Sequence, residues 1–210
     1  MKCLERSAAA VMTPTRLMLV MLCLIAQTYG CAHVIYEQTK IGSFKGALDI
    51  HWIKPDRFIY VPNKDDPLRF TVSGRTFEPR AMYTDGGSIP RLFWGVPNYS
   101  PWGYAPAYII HDWLFDAHHC GDPEYIDISF ERSAEILAEG IKTLMETGVA
   151  PRDKTTLWSI FEAVKSSVAL SIWETGSCDR PALKLLEDPR NPPGELLMRI
   201  DINAIPRRKP

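Results

Sequence analysis

The sequence TDGGSIP at residues 84–90, followed by HDWLF at residues 111–115, marks the change from a strand-rich to a helical half of the chain. Residues 46–80 contain short stretches of alternating, β-branched and aromatic residues, which predict strands, and Ser73-Gly74 is a predicted hairpin turn. After the turn, apolar residues recur at helical spacing. This segregation predicts an α+β fold, with a small antiparallel β-sheet followed by a three-helix subdomain.

Local signals set the limits of the three predicted helices. Pro106 in the first turn predicts a helix over residues 105–119. Ser129 is the expected N-cap of a second helix that ends at residue 145. A third helix is expected over residues 151–176.

The chain divides into three predicted segments. Residues 1–30 are typical of a signal peptide, because Arg16 precedes an uncharged apolar run at residues 17–26 that is short for a spanning helix. Residues 31–178 are predicted to form a single α+β domain with a sizeable core. Residues 179–210 are rich in proline and are predicted to form an extended tail.

The cysteines support export to the cell envelope or periplasm. Gly30-Cys31 resembles the end of a bacterial lipoprotein signal, which makes Cys31 the predicted lipidation site and a lipid anchor the link to the membrane. Simple cleavage nearby and a retained anchor are the alternatives. Cys120 and Cys178 remain as a pair that an oxidising compartment could join in a disulfide, or that could stay as two thiols.

The charge balance argues against nucleic acid as a partner. The chain has 24 Lys and Arg against 25 Asp and Glu, a net charge of −1, and its one basic run is at residues 207–209. A cell-envelope component or a small substrate is the expected partner.

The His111-Asp112 pair is the predicted reaction centre. An imidazole titrates near neutral pH, and a carboxylate beside it can orient it or hold a cation. Helical spacing places His111 on the predicted inward, apolar face with Ala107 and Leu114. Glu135 is a candidate third catalytic acid if the polar edge of its helix turns toward His111. The alternative is that His111 is a core residue whose hydrogen bonds are satisfied.

The glycine-rich turn is the predicted binding element, formed by Asp85, Gly86, Gly87 and Ser88. Either glycine can adopt positive φ, so that backbone groups converge on an oxyanion or on a hard cation such as calcium. Asp85 and Asp112 are the candidate metal ligands. A plain connection between a strand and a helix is the alternative.

These motifs resemble a family of bacterial and phage proteins known as domain of unknown function 1353. The resemblance is carried by residues 84–90, by Phe93-Trp94, and by YAPA at residues 104–107 leading into residues 111–115. It spans roughly residues 44–145. Members usually carry Ala-Asp where Ala134-Glu135 stands here, and they have no assigned reaction.

A looser similarity is to secreted phospholipases A2, in which a glycine-rich calcium loop precedes a helix that bears His-Asp. It implies His111 as general base, Asp112 as calcium ligand, Gly86-Gly87 as the loop and Glu135 as the orienting acid. The chain lacks the dense disulfides of that group.

Two functional hypotheses follow. The first is an exported hydrolase with a His-Asp site next to the acidic turn, assisted by calcium if a metal binds. The second is a non-enzymatic envelope or phage-derived accessory protein, in which the His-Asp pair is a buried hydrogen-bond network.

Overall fold

The computed structural model describes residues 30–53, 57–87, 99–100, 102–178 and 194–205. The strands in these ranges are β1 (Ser43–Lys45), β2 (Ala47–Ile53), β3 (Arg57–Pro62), β4 (Arg69–Val72), β5 (Arg75–Phe77), β6 (Met82–Thr84) and β7 (Glu195–Asp201). The helices are α1 (residues 30–38), α2 (Ala105–His119), α3 (Phe130–Glu146), α4 (Lys154–Val164) and α5 (Ser167–Thr175), and a short 3-10 helix spans Ile202–Ala204. The predicted α+β class is confirmed.

The strands form two antiparallel sheets, whereas one small sheet was expected. One has the order β1-β4-β5 and the other β6-β3-β2-β7. The chain passes from one sheet to the other at Gly46, where φ is +90°. A Cβ atom at this position would lie 2.1 Å from the carbonyl oxygen of Pro67, so only glycine allows the two backbones to approach so closely.

The hairpin between β4 and β5 is confirmed at Ser73-Gly74. Both residues have positive φ, 52° and 79° respectively. Two consecutive residues of this kind give a turn whose twist matches that of the paired strands.

The first two predicted helices are confirmed, and the third is divided. α2 has the expected limits, and the Ser129 side chain caps α3 by accepting from the Arg132 N–H. The expected helix over residues 151–176 is interrupted because the Ser166 hydroxyl accepts from the Ala169 N–H and starts a separate helix, α5.

The core lies between the helices and the sheets. α3 crosses α2 where Gly140 meets Ala107, and a Cβ atom on this glycine would lie 2.9 Å from that of Ala107. The Trp113 side chain of α2 is fully buried in the same core. α2 also contacts β6, which brings the helix to the end of the glycine-rich turn.

α1 is fixed to the domain through its last turn. The buried Lys142 ammonium donates to the carbonyl oxygens of Tyr36 and Thr39, at 2.5 and 2.8 Å, which satisfies carbonyls at the end of the helix. The Tyr36 hydroxyl donates to Glu146 at 2.6 Å. Cys31 in α1 is an exposed free thiol.

The predicted tail is partly built into the fold, which corrects the division at residue 179. β7 pairs antiparallel with β2, and Arg199 makes a bidentate ion pair with the buried Asp49, at 2.6 and 2.7 Å. Residues 179–193 and 206–210 lie outside the described residues.

Candidate functional site

The glycine-rich turn lies directly against α2. Gly86 has a φ of +84°, the left-handed conformation that glycine adopts without cost. A Cβ atom on Gly87 would lie 2.7 Å from the Tyr108 ring, so the turn and the helix touch at this residue. Ser88, the last predicted binding residue, lies outside the described residues.

Thr84 joins the turn to Asp112. Its hydroxyl accepts from the Gly86 N–H at 3.0 Å and donates to Asp112 Oδ2 at 2.8 Å. Thr84 is buried at the end of β6, so water competes little for these bonds. Asp85 is exposed, and its negative charge acts on Asp112.

His111 lies at the edge of the buried face of α2, next to the predicted inward positions Ala107 and Leu114. The fully buried side is centred on Ile110 and Trp113, whereas His111 is partly exposed. The His111 ring contacts Phe115, with ring centroids 4.8 Å apart. Its Nε2 atom is buried and has no hydrogen-bond partner among the described residues. The described residues therefore do not support the alternative that His111 is a core histidine whose hydrogen bonds are all satisfied.

The environment shifts the two titratable groups in opposite directions. Burial lowers the pKa of His111 to about 4, so its imidazole is neutral at pH 7. Burial raises the pKa of Asp112 to about 8; the hydrogen bond from Thr84 opposes this shift and the Asp85 charge adds to it. At neutral pH His111 is thus an unprotonated base and Asp112 a protonated acid.

A metal centre does not emerge from the described residues. No group of three or more His, Cys, Asp or Glu side chains in them could hold a metal ion. Asp85 and Asp112, the predicted calcium ligands, therefore lack a third such ligand in the described ranges. A neutral Asp112 is also a weak ligand for a hard cation.

Glu135 is not brought to the site, which corrects its prediction as a third catalytic acid. Its side chain is exposed and pairs with Arg132 at 2.8 Å. The same arginine binds the buried Glu139 through a second bond of 2.8 Å. No hydrogen bond among the described residues links Glu135 to His111 or Asp112. The polar edge of α3 instead forms an ion-pair network in which Arg132 binds Glu135 and Glu139.

The end of α2 is covered by α5. The His118 ring stacks on Trp173 with centroids 4.0 Å apart, and Phe115 meets the same indole edge-on at 4.8 Å. A disulfide joins Cys120 to Cys178 just beyond these contacts. The two cysteines therefore link the ends of α2 and α5, as expected if they form a disulfide.

Thr84 is a residue of the site that the sequence did not predict. The signal was its position, because it ends a short strand directly before Asp85 and Gly86. Strand-end hydroxyls commonly bond to nearby backbone, so the bond to Gly86 could have been anticipated. The bond to Asp112 spans 28 residues and depends on the packing of α2 against β6.

The Asp112 pKa predicts a specific loss of stability with rising pH. The folded-state pKa of about 8 exceeds the ordinary aspartate pKa of 3.8, so folding binds a proton and stability falls as pH rises toward 8. The lowered pKa of His111 has the opposite effect between about 4 and 6.5 and offsets it there. Between pH 6.5 and 8 only the Asp112 contribution remains, and it lowers the free energy of unfolding by up to about 2 kcal/mol.

Asp112→Asn should abolish this difference, because asparagine can accept the Thr84 bond without titrating. Urea unfolding at pH 6.5 and pH 8 measures it for the wild type, for D112N and for the control Asp65→Asn, which changes an exposed carboxylate. A D112N slope equal to that of the wild type would contradict the prediction.

Comparisons with known proteins bear on the family alone. No curated protein and no solved structure matches the chain, so the looser similarity to secreted phospholipases A2 gains no support. In the part of the chain that the structure describes, no helix has the length and apolar character needed to span a bilayer. The family model that matches covers residues 66–160, which include the turn, α2 and α3. The resemblance predicted from the turn and the His-Asp helix is therefore confirmed: residues 66–160 match the model of the family described as Protein of unknown function (DUF1353).

Proposed function

We propose that the protein is an exported hydrolase in which His111 is the general base and Asp112 the proton donor. The observation that carries the proposal is the buried Nε2 atom of His111, which has no hydrogen-bond partner among the described residues. Buried polar atoms in native structures nearly always have a hydrogen-bond partner. An unpaired imidazole nitrogen that precedes a residue with a shifted pKa is therefore a candidate to bind or react with a substrate.

The proposed chemistry is the hydrolysis of a carbonyl compound. His111 Nε2 takes a proton from water, and the resulting hydroxide adds to the carbonyl carbon. Asp112 gives its proton to the leaving oxygen or nitrogen as the bond to carbon breaks. The proton on His111 then returns to Asp112 through solvent, which restores both groups. Two neighbouring groups with pKa values moved apart are the pattern that acid-base catalysis requires.

The cysteines support the exported location within this proposal. The Cys120–Cys178 disulfide is compatible with an oxidising compartment, and the apolar run at residues 17–26 is typical of a signal. A lipid on Cys31 would place the membrane surface close to the domain, because Ala32 and Tyr36 of α1 are already buried in it. The substrate would then be a component of the envelope.

A non-enzymatic envelope protein is the second candidate, and one observation favours it. The Gly86–Thr84–Asp112 chain of hydrogen bonds ties the turn to α2 and satisfies one carboxyl oxygen. Such a network can serve to fix a single packing. It leaves the His111 nitrogen unexplained, which is why hydrolysis is preferred.

The pH dependence of hydrolysis tests the proposal. We expect activity on one member of a panel of esters, phospholipid vesicles, peptides and peptidoglycan. For that substrate, kcat/KM should fall below about pH 4, where His111 becomes protonated, and above about pH 8, where Asp112 loses its proton. Absence of activity across the panel would favour the second candidate, whereas activity with an acid limb at the ordinary histidine pKa would refute His111 as the general base.

A further inference from the structure

We propose that the exposed face of the sheet β1-β4-β5 binds a phosphate group, carried by a small molecule or by a lipid headgroup. A pocket of about 360 Å³ lies on this face, and the residues that line it are Ser43, Lys45, Arg69, Thr71 and Thr76. None of these residues belongs to the His-Asp site, so the inference stands apart from the proposed hydrolysis.

The pairing of the strands brings these side chains together. Burial alternates along β1 and β4, because one face of the sheet packs on the core and the other is open to solvent. On the open face the register places Thr71 between Ser43 and Thr76 in one row. In the next row Lys45 lies opposite Arg69. Three hydroxyls therefore lie beside two cations.

The described residues neutralise only one of the two cations. Like charges directly opposite each other on paired strands destabilise a sheet. Asp66 accepts from Arg69 Nη2 at 2.6 Å, and its other carboxylate oxygen accepts from Asn203 at 2.8 Å. Within the described ranges the Lys45 ammonium has no ion-pair or hydrogen-bond partner, and Arg69 Nε is buried without one. A bound anion would offset the remaining positive charge.

The hydroxyls add hydrogen-bond donors to the pocket. Thr71 Oγ1 and Thr76 Oγ1 share one hydrogen bond of 2.8 Å, in which either atom can donate. This bond uses one of the two hydroxyl protons, so the other remains for a ligand. The Ser43 hydroxyl has no hydrogen-bond partner among the described residues. Every side chain of the pocket can therefore donate, which suits a ligand that only accepts.

A phosphate group matches these donors better than a carboxylate does. It carries up to two negative charges and offers more acceptor oxygens than the two of a carboxylate. Arginine and lysine are the side chains that commonly bind it. The volume of about 360 Å³ falls among small-molecule sites, which span about 300–1,000 Å³, so the pocket has room for a phosphate ester.

Calorimetric titration with glycerol 3-phosphate tests the site in the wild-type chain, in Lys45→Gln and in Lys165→Gln. Lys45 is exposed, so K45Q should fold normally. Lys165 is an exposed lysine directly after α4 and outside the pocket, so K165Q makes the same change in net charge. We expect K45Q to raise the Kd about tenfold, and K165Q to leave it within about twofold of the wild type.

Vesicles distinguish the two sources of the phosphate group. Binding of free glycerol 3-phosphate that is weakened in K45Q supports a soluble ester. Sedimentation with phosphatidylcholine vesicles that contain phosphatidic acid, if K45Q loses it and K165Q keeps it, supports a lipid headgroup. Vesicles of phosphatidylcholine alone control for binding through the apolar run at residues 17–26.

Three results would overturn the phosphate site. The first is that neither glycerol 3-phosphate at millimolar concentration nor phosphatidic acid binds the wild type. The second is equal weakening in K45Q and K165Q, which would indicate attraction by net charge alone. The third is binding of glycerol 3-phosphate that leaves the NMR amide shifts of β1 and β4 unchanged. The outcome of the hydrolysis assays affects none of these measurements.

Discussion

Replacement of His111 by glutamine is expected to lower kcat/KM of the hydrolase by about 10²–10⁴-fold, the usual contribution of a general base. Glutamine keeps a polar side chain of similar size but cannot take a proton from water at neutral pH. Because burial already keeps His111 uncharged at pH 7, the substitution removes no ionic interaction from the fold. Steady-state kinetics at pH 6, between the two expected limbs, measure the loss.

His118→Gln is the matched control for this substitution. His118 lies on the same helix and is also partly exposed, but its ring stacks on Trp173. We expect H118Q to keep kcat/KM within about threefold of the wild type, because a group outside the site contributes no proton transfer. Equal losses in H111Q and H118Q would show that the helix, and not the His111 imidazole, is what activity needs. An unaffected H111Q would refute the role of the base.

The helical half was predictable because its signals are local. Pro106 fixed the start of α2, and Ser129 fixed that of α3, since a helix end depends on residues within one turn of it. The division between α4 and α5 is also local, but the Ser166 cap lies inside a continuous apolar pattern that favours one helix. Hydrophobic periodicity indicates which face of a helix is buried, but it does not reveal such an interruption.

The strand half was harder because sheet membership depends on distant residues. β7 follows a proline-rich stretch and has mostly exposed side chains, so no pattern distinguishes it from a loose tail. Its partner β2 lies about 150 residues earlier, as the Arg199–Asp49 pair shows. The passage between the sheets depends on Gly46, whose positive φ a sequence does not display.

The site was predictable only in part, for the same reason. The order of the elements along the sequence predicted that the turn lies near His111 and Asp112. It could not show that the helical rotation places Asp112 toward Thr84 and His111 toward Phe115. Glu135 was a reasonable candidate by spacing, but its outcome depended on Arg132, one turn away on the same helix. The Glu135 carboxylate pairs with the nearby Arg132 guanidinium and not with the site.

Removal of the Cys120–Cys178 disulfide is expected to lower the free energy of unfolding by about 4 kcal/mol. The two cysteines are 58 residues apart, and closing a loop of this length restricts the unfolded chain by that amount in the chain-entropy model. Urea unfolding of the double variant Cys120→Ala/Cys178→Ala, compared with the oxidised wild type, measures the effect.

Cys31→Ala is the control, because Cys31 is an exposed free thiol that closes no loop. It should leave stability within about 0.5 kcal/mol of the wild type. The folded state also predicts where the double variant loosens first. The His119 Nε2 atom lies 3.1 Å from the carbonyl oxygens of Ile172 and Trp173, so α5 keeps this contact but loses its covalent link.

Hydrogen exchange in α5 separates a loosened helix from a destabilised domain. If the disulfide acts through the unfolded chain, amides throughout the core exchange faster in the double variant, including those of α3. If it acts only by pinning α5, faster exchange is confined to α5 and the unfolding midpoint barely moves. The long loop favours the first result. Equal stability of the double variant and the Cys31→Ala control would refute it and leave the disulfide a local clamp at the end of α2.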